Sequence, residues 1–74
     1  MQFDFSKLLG RIKELGYTQE SLAKEIGISE VTMSLKLNNK AFFTQPEMEK
    51  IRRTLLIPRY EMGAYFFYPK SSGS

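Results

Sequence analysis

Cysteine, histidine and tryptophan are all absent from the 74-residue chain. Without cysteine there is neither a disulfide nor a thiolate nucleophile. Without histidine the commonest general base and nearly all zinc-site patterns disappear as well. A domain this short buries only about 60% of its unfolded surface, so a fold with no covalent staple must hold by packing alone. Little room remains for a deep substrate cavity. No phosphate-cradling glycine loop, metal-ligand cluster or nucleophile–base pair occurs in the sequence. Glu47 and Glu49 read as acids favoured near the start of a helix by its dipole. The expectation is a binding protein and not an enzyme, with no cofactor, no metal and no small-molecule substrate. No apolar run approaches the ~18 residues of a membrane span, and a signal-peptide pattern is missing. A single soluble cytoplasmic domain with no membrane partner is expected, and the lack of cysteine fits a reducing compartment.

A strong excess of charge is also lacking. Eleven basic residues against eight acidic ones leave +3, which permits nucleic-acid binding without demanding it. Residues 1–44 hold six cations (Lys7, Arg11, Lys13, Lys24, Lys36, Lys40) and five acids, a surplus of one; residues 45–74 hold five cations and three acids, a surplus of two.

What is present is helical periodicity. Phe5, Leu8, Leu9, Ile12 and Leu15 form one stripe on a helix of about 5–15, with Asp4 as its N-cap and Gly16 as a left-handed stop. Thr18 caps a second helix from Gln19 to Ile26, whose Leu22, Ala23 and Ile26 face inward. Gly27 ends it, because glycine enters the left-handed region without a Cβ clash. Ser29 caps a third helix of about 30–37 carrying Met33 and Leu37 on its inner side, and Asn38 and Asn39 suit its end. Thr44 and Glu47 fit a capping box for a fourth helix of about 45–56 with the stripe Met48, Ile51, Leu55 and Leu56. Pro46 is tolerated in its first turn, and Pro58 blocks continuation. A fifth helical turn near 59–64 leads into Tyr65, Phe66, Phe67 and Tyr68, two of which are expected in the core and two at an interface. One of Phe42 and Phe43 is expected to plug the core. Arg52 and Arg53 read as a solvated face. The fold expected is all-α, with four to five short helices in one domain over 1–68 and a low-complexity, flexible tail over 69–74.

Residues 19–38 describe two short helices meeting at a tight glycine turn, with small Ala23 where they cross. That is the physical recipe of a helix-turn-helix. On Thr18-Gln19, Leu22-Ala23, Ile26-Gly27-Ile28-Ser29, Met33-Ser34 and Asn38 the chain resembles the lambda-repressor-like, Cro-type family of phage and bacterial regulators. The likeness to its small phage Cro-like and antirepressor members covers roughly residues 5–67. It includes Ser34 to Lys40, the following phenylalanines, the capped fourth helix and the Tyr65-Phe66-Phe67 ending.

The resemblance implies roles for particular residues. Gln19 matches a glutamine that bonds a DNA phosphate, with Thr18 beside it. Asn38, Asn39 and Lys40 match positions that touch the far backbone strand, and Lys36 either reaches a flanking phosphate or lays its stem over the core. Ser29, Glu30, Val31, Ser34 and Leu35 match the groove-facing positions. Here the chain departs from the pattern. Family readers at these positions are commonly Gln, Arg, Asn or Ser, whereas this helix offers Glu30, Val31 and Leu35 beside its two serines. Two readings stay open. One is a Cro-like regulator of a phage lysis–lysogeny switch that binds a double-stranded DNA operator, as a homodimer on paired half-sites. The other is an antirepressor of the same fold that presents Glu30, Val31 and Leu35 to a phage repressor and hides that repressor's DNA-binding surface.

Overall fold

The computed structural model describes residues 2–70; the expected tail residues 71–74 lie outside them. Five α-helices follow in order: α1 (Ser6–Glu14), α2 (Gln19–Ile26), α3 (Glu30–Leu37), α4 (Gln45–Thr54) and, after a 3₁₀ turn at Arg59–Glu61, α5 (Met62–Phe66). The all-α expectation holds. Among the described residues, extended pairing is limited to one antiparallel bridge between Phe3 and Pro69.

Local chemistry sets the helix starts. The Thr18, Ser29 and Thr44 hydroxyls accept from the backbone N–H groups of Ser21, Thr32 and Glu47. Each satisfies a donor that the first helical turn leaves without a partner. At Thr18 the reciprocal half of the capping box comes from Ser21, and at Thr44 from Glu47. α1 differs from expectation. Asp4 lies one residue before the cap position, which Phe5 occupies without a side-chain bond; the Asp4 carboxylate instead accepts from Ser6 N–H at 2.8 Å.

The helix ends share a geometry. Gly16, Asn39 and Leu56 take positive φ at 82°, 62° and 57°. In each case two backbone N–H groups turn back onto the last carbonyls, as with Tyr17 N–H to Ile12 C=O, Lys40 N–H to Leu35 C=O and Ile57 N–H to Arg52 C=O. Leu56 was expected in the α4 stripe, but α4 stops at Thr54 and Leu56 stands 71% exposed in the turn. Leu9 is likewise exposed, because the inner stripe of α1 centres on Phe5, Leu8 and Ile12.

These elements close around Leu8, Leu22, Met33, Ile51, Leu55, Ile57 and Phe66, all fully or almost fully buried. Ala23 lies at the crossing of α2 and α3 and is 1% exposed, so a larger side chain there would push the helices apart. Edge-on phenylalanine contacts link Phe5 to Phe43 and Phe43 to Phe66. Phe43 is therefore the plug of the α3–α4 loop, and Phe42 is the exposed member of the pair. Tyr65 and Phe66 are buried while Phe67 and Tyr68 stay exposed.

The termini are tied together. Asp4 N–H donates to Tyr68 C=O and Lys70 N–H to Gln2 C=O, so Pro69 and Lys70, expected to begin a flexible tail, are held against the N-terminal segment. Both outer edges of this small ribbon are blunted. The Asn39 side chain bonds both Phe3 N–H and Phe3 C=O, and Pro69 has no N–H to offer a further strand.

Candidate functional site

The α2–turn–α3 pair is rigid by construction of its turn. Gly27 sits at φ 87°, and its N–H, like that of Ile28, bonds back to Ala23 C=O. Ile28 then packs partly against the core. On α3, Met33, Lys36 and Leu37 form the buried side, which turns Glu30, Val31 and Leu35 outward. Val31 is 70% and Leu35 44% exposed, and Glu30, the first residue of α3, is exposed as well. Val31 and Leu35 lie one turn apart and so form a continuous apolar strip. Glu30 has neither a hydrogen bond nor an ion pair among the described residues.

The polar members of the expected site divide into engaged and available groups. Ser29 Oγ caps α3 and also bonds Thr32 Oγ1. Ser34 is half-buried, and its carbonyl accepts from the Asn38 amide at 2.8 Å. Thr18 is held in its capping box. Gln19 is half-buried, and Lys40 is exposed with no ion pair among the described residues.

For Lys36 the structure selects the second of its two expected placements, and for Asn39 it shows an engaged side chain in place of the expected DNA-backbone contact. Lys36 is only 7% exposed, and its ammonium lies 2.5 Å from Glu47 Oε1 at the start of α4. It is a buried strut between α3 and α4, leaving no free cation for a phosphate. Burial pushes the Glu47 carboxyl up, but the Lys36 ammonium and the Thr44 N–H outweigh it and hold the group below the usual glutamate range. Asn39 is the second case. Its amide is engaged on both sides by Phe3, and its positive φ closes α3. Its role in the described structure is to fasten the end of α3 to the N-terminal segment.

The charge of the exposed surface follows. Over residues 19–38 the exposed ionised groups are Lys24 against Glu20, Glu25 and Glu30, one cation to three acids. With Lys36 neutralised by Glu47 and the exposed Lys40 counted, residues 19–40 carry a surplus of one negative charge. Counterion release, the main source of affinity for duplex DNA, needs the opposite sign.

Sequence reasoning missed two arginines. Arg11 reaches across from α1 and donates from Nε to Leu55 C=O at 2.9 Å, satisfying a carbonyl at the end of α4. Arg52 grips Glu49 with two nitrogens, at 3.1 and 2.6 Å, and donates a third bond to Ile57 C=O. The Arg11 contact has no local sequence signal, because Leu55 is 44 residues away, whereas the Glu49–Arg52 pair was readable as an acid and a base at i,i+3 on one helix.

A family model described as a protein of unknown function (DUF739) matches residues 1–69. The chain belongs to the DUF739 family. No curated protein sequence matches it. Among solved structures, this DUF739 chain is similar to the solution structure of the modulator of repression (MOR) of the temperate bacteriophage TP901-1 from Lactococcus lactis. The two share 40% identity over 90% of each chain, with a TM-score of 0.77. The likeness supports a small helical phage regulatory protein. No helix of the described residues is long and apolar enough to cross a membrane, and no cluster of acidic, cysteine or histidine side chains there could hold a metal ion.

Proposed function

We propose that this DUF739 protein is a modulator of repression that works by binding a phage repressor through the outer face of α3. It is a binding protein, not an enzyme. The observation that carries this reading is the surface of that face: Val31 and Leu35 exposed one turn apart, Glu30 beside them, and a net negative surround. Protein-recognition hot spots combine apolar anchors at the centre with a charged rim. A repressor's DNA-reading surface is basic because it must approach phosphates. Glu30, Glu20 and Glu25 complement that sign, and the apolar strip supplies the anchor. Binding there covers the partner's DNA-reading surface and relieves repression with no strong DNA binding by the modulator itself. The similarity to MOR, a modulator of repression, points the same way.

The test is a titration of fluorescent operator DNA at two salt concentrations, with and without the cognate repressor. The expected result is weak binding by the modulator alone and release of repressor from DNA on mixing. Leu35→Arg is expected to weaken the repressor complex by about 2 kcal/mol, roughly thirtyfold. It leaves the fold intact because Leu35 contributes little to the core. Tight, steeply salt-dependent operator binding by the protein alone would instead establish the Cro-like reading, in which Val31 and Leu35 touch thymine methyl groups and Glu30 accepts from cytosine.

A further inference from the structure

The opposite charge gathers on another part of the molecule. Glu49, on α4, is the meeting point of three guanidinium groups. Arg52 contacts it at 2.6 Å, Arg53 at 2.9 Å and Arg59 at 3.7 Å. These contacts hold the Glu49 carboxyl far down, to about 2, against some opposing desolvation. One carboxylate among three cations leaves two positive charges without local compensation. Arg53 and Arg59 are largely exposed, so most of their donors face solvent. A groove of about 560 Å³ runs beside the cluster, lined by Met48, Met62 and Phe67 together with Glu49, Arg52 and Arg59, while Arg53, paired to Glu49, stands outside the lining. Met48 and Phe67 also border a smaller hollow next to Phe42, which is 77% exposed. The apolar surface therefore continues from the guanidinium cluster to the α3–α4 loop.

We propose that this groove is a second docking site, which takes a protein segment bearing one or two carboxylates next to an apolar side chain. Planar guanidiniums bind carboxylates in pairs of parallel bonds, and Glu49 already holds Arg52 in that geometry. A carboxylate brought to Arg59 in the groove is drawn by the uncompensated charge, to which the exposed Arg53 adds. The apolar side chain beside it rests on Met48, Met62 and Phe67, and the two methionines adapt to its shape. Duplex DNA fits less well. Its phosphates are evenly spaced and need cations in a row, whereas these converge on one acid, and Met48, Met62 and Phe67 make part of the groove apolar. The site is separate from the α3 face, so it stands or falls independently of the repressor reading.

The experiment uses the full chain and a short fluorescein-labelled peptide with glutamates flanking a leucine and a phenylalanine. Saturable binding read by fluorescence anisotropy is expected, with NMR shift changes at Met62 and Phe67 and none at Val31 and Leu35. The double variant Arg53→Glu/Arg59→Glu, with both changes on exposed side chains, is expected to bind at least about tenfold more weakly. A peptide with glutamine in place of each glutamate should show a similar loss. The proposal is overturned by no saturation at about 1 mM peptide, by an unchanged affinity in the double variant, or by a short DNA duplex that binds more tightly than the peptide. It is also overturned if sedimentation shows concentration-dependent self-association abolished by Glu30→Arg, since the groove would then hold a second copy's α3 face.

Discussion

Replacing Lys36 by methionine isolates the buried ion pair that joins α3 to α4. Methionine keeps the stem volume over Phe43, whose ring centroid lies 6.0 Å from the Lys36 ammonium, and removes only the charge. Glu47 then keeps a single strong donor, the Thr44 N–H at 2.9 Å. Removing one partner of a buried pair costs about 3–5 kcal/mol when the survivor is dry and otherwise unpaired. The Glu47 side chain retains 17% exposure and its capping bond, which lowers the expected loss to about 2 kcal/mol. For a domain of this size that is a fall of roughly 8–16 °C in Tm. The effect also has a pH signature. Glu47 has a folded-state pKa below its unfolded one, so its contribution is complete above the ordinary glutamate pKa. It is lost as pH falls through the folded value. Without the ammonium, burial instead raises the Glu47 pKa and favours protonation in the folded variant. The gap between wild type and Lys36→Met should therefore be wide at pH 7 and narrow towards pH 3. Circular dichroism melts of both proteins at the two pH values measure it. Equal melting temperatures at pH 7, or a gap that widens in acid, would refute the assignment of Lys36 as a structural strut.

Two further outcomes test the helix ends. Leu56 holds positive φ with no Cβ-free backbone to ease it, so Leu56→Gly should raise stability by about 0.5–1 kcal/mol in a thermal melt; a loss of stability would mean the exposed side chain packs on something that stabilises the fold. Asn39→Ala removes both bonds to Phe3 and places a Cβ residue with no amide in the left-handed region, which should cost about 2 kcal/mol. Amide hydrogen exchange at Asp4 and Lys70 should then speed up before exchange in the core, and unchanged protection there would separate Asn39 from the terminal ribbon.

Much of the frame was legible because its signals are local. Thr18, Ser29 and Thr44 precede their helices by one residue, and a hydroxyl there has few other uses. Gly16 and Gly27 sit where only left-handed backbone ends a helix cheaply. The periodic core of α2 and α4 followed from spacing, as did the outward placement of Glu30, Val31 and Leu35. The failures come from less local causes. Leu9 fits a broad apolar stripe yet lies about 100° round from Leu8, so it falls off the edge of the buried side. Leu56 is apolar and follows Leu55, and nothing in a hydrophobicity pattern says that the helix has already closed two residues earlier. Lys36 carried a readable signal: it is three residues after buried Met33 and next to buried Leu37, which puts it on the inner side whatever its charge. Asn39 carried none, because its partner Phe3 is 36 residues away.

The positions of these fastenings leave the outer strip of the bent helix pair free of structural duties. Met33, Lys36 and Leu37 hold α3 from beneath, Ser29 caps its start, and Asn39 ties its end to the N-terminal segment. None of these groups lies on the outer strip. Glu30, Val31 and Leu35 therefore carry little of the folding free energy, and their chemistry can change without moving the helix. An outer strip of arginine and glutamine on the same support would read base edges, whereas an acid with two apolar side chains complements a basic protein surface. On the repressor-binding reading proposed above, the sign of charge on this strip, more than the fold beneath it, would decide between nucleic acid and protein. A chain with Glu30, Val31 and Leu35 replaced together by Arg, Gln and Arg should keep its folding stability within about 1 kcal/mol of the wild type. The same chain should lose repressor and gain DNA binding that falls with salt. A large loss of stability in that triple variant would show that the outer strip belongs to the core after all.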